Sequence, residues 1–282
     1  MVTFAPSSSL TIGPQILSGV DEFGVQWITE TVDGWEGSPA STLSVKQKPR
    51  GAGGWAGLAY LGSRSIAAAG RVFAPDSASL SAAVDRLNAA VATFDSELTV
   101  AESGRARWCE VRRAGDVITS TTDLSARWSI QVVAPDPRKF SATLAASTGL
   151  PSTTGGLTVP FTVPFSINAT TVAGQVNLTN PGNTSGPVLL RIDGPVVGPV
   201  VTHVGSGLSL VFASSLVLNA GEWLDVDLEA RQVLANGQAS RNGYVTSRGW
   251  SSFTPGLNTW AFTAVSFSAG ALLTVHATPA DQ

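Results

Sequence analysis

The sequence predicts a mainly β protein of two domains, with one amphipathic helix in the first. Three observations carry this expectation. The chain has 282 residues, long for a single core, so two domains are the natural division. Gly and Pro recur throughout and separate short runs rich in Val, Ile, Thr, Leu and Trp, the pattern of many short strands. One segment departs from that pattern and spaces its apolar residues by three and four.

Taken in chain order, the run Val25 to Val32 alternates loosely and predicts a strand, as does Arg64 to Phe73. The departing segment follows. From Ser77 to Phe94, the residues Leu80, Val84, Leu87, Val91 and Phe94 fall on one helical face, which predicts a helix over about 77–94. Asp76 or Ser77 can cap its first turn, and the Ala-rich filling suits a helix. An isolated amphipathic helix must bury its stripe, so it should lie on a sheet. Strands are then expected at Leu98 to Val100, Arg107 to Arg113 and Ala126 to Val133.

Composition shifts near Asp136-Pro137-Arg138, a turn sequence that places the domain boundary at 138/139. The segment 150–164 holds three prolines and two consecutive glycines and reads as a junction or arm. Beyond it the expectation is strands and turns only, with runs at Val172 to Thr179, Val188 to Asp193, Val200 to Val204, Leu208 to Phe212, Trp223 to Glu229, Asn258 to Phe267 and Leu272 to Thr278. Asn236-Gly237 marks a hairpin turn. The second half is expected to be a β-sandwich of jelly-roll type.

Composition also bounds function. Charged residues make up only 13% of the chain against about 25% in an ordinary soluble domain. A surface so poor in charge points to burial against partner subunits. A net charge of −3 without a basic stripe argues against nucleic-acid binding. The longest apolar stretch, Leu208 to Leu218, is interrupted by serines and is too short to span a bilayer. The first residues carry no secretory pattern, which predicts synthesis in a cytoplasm.

Chemistry-bearing residues are sparse. Cys109 is the single cysteine and is expected to be a small buried residue of a strand. His203 and His276 lie in β-like runs without a second metal ligand at useful spacing, and no cofactor motif is present. Glu222 with Asp225 or Asp227 could serve glycoside hydrolysis, and Asp225 and Asp227 face one side of a strand; a solvated strand face is the plainer reading. The glycine-rich stretch Gly51 to Gly57 lacks the ending of a phosphate loop and is expected to be a mobile loop. Trp223, Trp250 and Trp260 could stack on sugar rings, although Trp in β domains usually fills core or interface.

The order of these features resembles the distal tail proteins of siphophages. Trp35-Glu36-Gly37-Ser38-Pro39 precedes a Gly-rich loop, the strand Arg64 to Val72, the single helix, the strands near Arg107 to Arg113 and Arg127 to Val133, and the close at Asp136-Pro137-Arg138-Lys139-Phe140. This is similar to the family's belt domain. Asn180-Pro181-Gly182-Asn183, Ile192-Asp193-Gly194, Gly221-Glu222-Trp223-Leu224-Asp225-Val226-Asp227, Pro255-Gly256-Leu257-Asn258 and Trp260-Ala261-Phe262 resemble its galectin-like domain. The resemblance implies a structural virion protein, not an enzyme and without cofactor. It implies a homo-oligomeric ring of six at the virion tail tip, made in the host cytoplasm, joining the tail tube protein to the tail-tip hub and in some phages carrying receptor-binding proteins. Lys46, Lys48, Arg50 and Trp55 are then expected at the ring interface, and host glycan is the alternative partner for the second domain.

Overall fold

A computed structural model describes residue 4 and residues 8–151, 153–154, 171–172, 174–266 and 269–282. Two compact units emerge, one ending at Ser141 and the other running Ala142–Asp281. Most of the junction segment 150–164, and Phe267 at the end of an expected strand, lie outside the described residues.

The first unit is an antiparallel sheet that folds over on itself. Its hydrogen-bonded path runs Gln15–Ile16, Ser9–Ile12, Ser96–Glu102, Arg105–Arg113, Ser125–Ala134, Arg64–Phe73, Gln26–Asp33 and Gly19–Val20. Strand Arg105–Arg113 makes the corner: its earlier residues pair with Ser96–Glu102, and Arg112 and Arg113 pair with Val133 and Val132. Alternation is clean on Arg64–Phe73, where Arg64, Ile66, Ala68, Gly70 and Val72 point inward. The inner faces carry Trp27, Trp128, Ile66, Val72, Leu98, Val100 and Ile130 in one buried cluster. Trp27 and Trp128 meet edge to face at 6.4 Å.

Gly70 shows why a strand interior can require glycine. It pairs with both Thr29 and Trp128, and a Cβ there would lie 2.0 Å from the Ile28 carbonyl oxygen and 2.8 Å from the Trp128 ring. A bulge between Thr29 and Thr31 sits opposite it.

The helix forms where expected but is shorter, Ser77–Ala90. Asp76 caps it, its Oδ1 accepting from Ser79 N at 2.8 Å. The buried residues are Leu80, Ala83, Leu87 and Ala90. This corrects the expected stripe at two positions. The chain leaves the helix at Val91, so Phe94 no longer follows the helical spacing and is 70% exposed. The alanines, not Val84, face the sheet, because small side chains allow close approach of helix and strands.

The second unit contains two six-stranded antiparallel sheets among the described residues. One orders Leu144–Gly149, Leu272–Ala277, Val188–Asp193, Trp223–Asp227, Gln232–Ala235 and Ala239–Ser240. The other orders Gln175–Asn180, Gly256–Ser266, Val196–His203, Leu208–Phe212 and Val245–Arg248, with Val217–Leu218 on Val196–His203. Leu190, Ile192, Phe212, Leu224, Val226, Phe253, Trp260, Phe262 and Val275 fill its core. Asn236 and Gly237 both take positive φ, and Gln238 N donates to Ala235 O at 3.0 Å, so the expected turn is present. Among the described residues the fold is thus mainly β, with one α-helix in the first unit and a sandwich in the second.

Candidate assembly surface

Residues 40–62 carry the expected interface loop, and they form an extended hairpin instead of a loop without regular structure. Ser41–Thr42 pairs with Tyr60–Leu61, and Val45–Gln47 pairs with Gly54–Ala56. Bonds from Gly57 N to Ser44 O and from Lys48 N to Gly53 O extend the ladder. The glycines leave room for this pairing: a Cβ on Gly54 would meet Val45 Cγ1 at 2.6 Å. Lys46 and Trp55 stand opposite each other on one face, and Val45 and Ala56 on the other.

The hairpin buries almost nothing. Trp55 is 56% exposed, Leu58 78% and Tyr60 66%, and Leu43 and Val45 are also more than half exposed. Lys46, Lys48 and Arg50 are its only charges. Sequence reasoning expected the three cations and Trp55 in one loop at a ring interface, and all four lie on this hairpin. It missed Leu43, Leu58 and Tyr60. The run Leu58-Ala59-Tyr60-Leu61 was the available signal, hidden because a polar-free run usually marks a core strand.

The root of the hairpin is strapped by a buried cation. Arg64 follows the hairpin and is 1% exposed. Its Nη1 donates to the carbonyls of Gly34 at 2.8 Å, Trp35 at 3.0 Å and Gly37 at 2.6 Å, all preceding the hairpin. Its Nε donates to Pro137 O at 2.9 Å. Lys139 Nζ adds a bond to Trp35 O at 3.1 Å. Backbone that lacks ladder partners is thereby satisfied by a side-chain fork.

The remaining candidate residues separate clearly. Trp260 is fully buried against His203 and Phe253, so it cannot touch a sugar; its expected glycan role is withdrawn because its strand faces the sandwich core. Trp250 is half-buried and packs on that core. Trp223 lies on the outer face of its sheet, with the Arg191 guanidinium 4.5 Å from its ring and its Nε1 donating to Asp225 Oδ2 at 3.0 Å. Glu222 Oε2 accepts from Asn219 N at 2.7 Å, and Asp227 Oδ1 accepts from Glu229 N and Ala230 N. These carboxylates therefore shape turns and a strand face. His203 is buried between Ser206 Oγ at 2.8 Å and Asn258 Oδ1 at 3.1 Å. Cys109 is a buried strand residue, and burial pushes its thiol up to about 12. Among the described residues no group of three His, Cys, Asp or Glu side chains could hold a metal ion, and no helix is long and apolar enough to cross a membrane.

This architecture, a folded-over sheet carrying a helix and a second unit built as a β-sandwich, is similar to that of solved phage hub and baseplate chains. The Dit protein (gp 19.1) of phage SPP1, described as a paradigm of the hub adsorption apparatus in phages infecting Gram-positive bacteria, matches with a TM-score of 0.66 at 13% identity. The match covers 97% of this chain and 98% of that one. A chain of the phage P2 baseplate in its activated conformation with Ca matches with a TM-score of 0.53 at 9% identity, covering 96% of this chain and 98% of that one. At these identities the likeness is one of fold. No family model and no curated protein matches the sequence.

Proposed function

We propose that this protein is a siphophage distal tail protein, a structural ring component that joins the tail tube to the tail-tip hub. The observation that carries the reading is the hub-protein fold along nearly the whole chain. The exposed apolar hairpin supports it. A monomer gains nothing from an arm that leaves Trp55, Leu58 and Tyr60 in water, whereas a closed ring uses head-to-tail contacts between unlike patches. The low charge of the chain suits permanent, apolar interfaces. Lys46, Lys48, Arg50 and Trp55 then lie at the contact between copies. A ring of six follows the resemblance, as do the tube, the hub and receptor-binding proteins as partners and the virion tail tip as location. The role is architectural and needs no catalysis.

Negative-stain electron microscopy of the purified protein, with light scattering for mass, tests this. Rings of six with a central channel are expected. A monodisperse monomer at high concentration, even when mixed with tail tubes, would remove the ring reading. The second reading, a glycan-binding face, rests on Trp223, which stands on an outer sheet face beside Arg191, Asp193 and Asp225. A glycan array without binding would leave only the structural role.

A further inference from the structure

The inward face of one strand changes character along its length. In Arg105–Arg113, Val111 and Cys109 are buried in the core of the first unit, and Arg107 and Arg105 continue the same face toward the turn at Ser103 and Gly104. There a pocket of about 430 Å³ opens, lined by Glu36, Glu102, Ser103, Arg105, Arg107 and Lys139. Residues far apart in the chain thus put three cations and two carboxylates around one cavity. Its volume is in the range of built ligand sites, roughly 300–1,000 Å³.

The floor is positive and held in place. Lys139 is 2% exposed, and its Nζ and the Arg64 Nη1 both donate to the Trp35 carbonyl, at 3.1 and 3.0 Å. Two buried cations therefore share one oxygen. The four bonds of Arg64 all end on carbonyls, so among the described residues no carboxylate neutralises it. Burial lowers the Arg64 pKa, and the charge of Arg107 nearby lowers it further. The Arg107 guanidinium and the Lys139 ammonium lie 5.9 and 5.6 Å from the Trp35 ring. Arg64 Nη2 and Trp35 Nε1 are buried donors without a hydrogen-bond partner. On the wall Arg107 Nη2 pairs with Glu102, and Glu36 and Arg105 are exposed at the mouth. Arg64, Arg105, Arg107 and Lys139 thus gather against the two carboxylates of the lining, an arrangement that draws negative charge.

We propose that this pocket binds an oxyanion, a phosphate or carboxylate group, with the guanidinium groups of Arg105 and Arg107 on its oxygens and the Lys139 ammonium beneath. The inference concerns the first unit alone and goes beyond the ring reading. Arg105 and Arg107 stand two apart on one strand and so face the same side. The planar fork of an arginine can donate two parallel bonds to such a group, while a buried ammonium acts as a point charge. Because the floor is built before a ligand arrives, little ordering is needed on binding. Glu36 and Glu102 work against an anion. Glu102 is offset by its pair with Arg107, which leaves Glu36 as the opposing charge at the mouth. The volume exceeds that of a bare oxyanion, so there is room for the group to arrive either free in solution or as a carboxylate carried by another protein.

Isothermal titration calorimetry of the full chain with inorganic phosphate tests this, against chloride at matched ionic strength. Saturable phosphate binding to the unaltered protein is expected. Arg105→Gln is expected to weaken it at least about tenfold, the contribution of one bond to a charged group. Arg105 is exposed, so circular dichroism and melting without phosphate should match the unaltered protein. Glu36→Gln removes the opposing charge and is expected to tighten binding about two- to fivefold. Glutarate, a small carboxylate, separates the two sources. Glutarate binding that is lost in Arg105→Gln would assign the pocket to a carboxylate of another protein, and phosphate binding alone would assign it to free phosphate. Binding of neither probe would overturn the proposal. So would binding of equal strength in Arg105→Gln, or weaker binding in Glu36→Gln. None of these outcomes depends on ring formation, so the ring reading stands or falls separately.

Discussion

Replacing Arg64 with methionine should cost the first unit about 2–4 kcal/mol, and the number follows from its bonds. The guanidinium reaches four carbonyl oxygens, three of them from Nη1 alone. An Nη1 has two protons, so the set is worth about three charge-assisted bonds of roughly 1.5–3 kcal/mol each. Methionine fills most of the volume but strands the carbonyls of Gly34, Gly37 and Pro137, while Lys139 still serves Trp35. Against this loss, removal of a buried charge recovers part of its desolvation cost, several kcal/mol in comparable settings. Nη2 is already buried without a hydrogen-bond partner, so that recovery is real. The remainder predicts a urea midpoint lower by roughly 1–2 M for a slope of about 2 kcal/mol/M. Arg64→Lys keeps the charge but loses the fork and should recover only part of the loss. Because the bonds tie residues on both sides of the hairpin, trypsin cleavage after Lys46 and Arg50 should also accelerate in Arg64→Met. An unchanged midpoint with unchanged cleavage would refute the view that this cation straps the hairpin root.

Gly70→Ala should destabilise the first unit by about 1–3 kcal/mol or prevent its folding, since the new methyl group meets the Ile28 carbonyl and Trp128; thermal melting measures it. Trp260→Ala should cost about 3–5 kcal/mol by the same assay, and a loss below 1 kcal/mol would contradict its placement in the core. Cys109 should resist a thiol-specific reagent in the native protein and react on unfolding. Its folded thiol titrates near 12, above the ordinary 9.0, so its contribution to stability is full below about pH 9 and declines as pH rises toward 12. Burial works to raise the Asp21 carboxyl, yet hydrogen bonds from Val25, Trp27, Phe23 and Arg86 outweigh it and hold the group below its ordinary 3.8. Its contribution is therefore present above that pH and lost as pH falls through the depressed value. Asp21→Asn should flatten the acid limb of the stability profile, and an identical limb in the variant would count against the network.

Much of the fold was legible because periodicity is local. The spacing of Leu80 and Leu87 announced the helix, and the run Arg64 to Phe73 announced a strand at the observed bounds. The cap at Asp76 and the turn at Asn236-Gly237 depend on a few neighbouring residues and could be read directly. The hairpin at 40–62 was obscured because its strands lack alternation. Val45 to Gln47 and Gly54 to Ala56 are exposed on both faces, so no buried side imposes a pattern on the sequence. The short strands Ser9–Ile12 and Ile118–Thr122 were likewise unannounced.

By itself, then, the sequence determined where the chain could turn and which segment had to be helical. Only the tertiary structure decided that Trp260 is core while Trp55 faces water. A period of two states that neighbouring side chains take opposite sides, and the side that ends up covered depends on which strand or sheet lies against it. The same reason hid a groove of about 640 Å³ in the first unit, lined by Ile16, Phe23, Ala89, Ala90 and Phe94. Phe23 and Phe94 are 71 positions apart in the chain, and nothing local indicates that a helix end and a distant loop will frame one opening. Arg64 was hidden too, because a cation in a strand reads as solvent-facing until the fold supplies four carbonyls for it to hold.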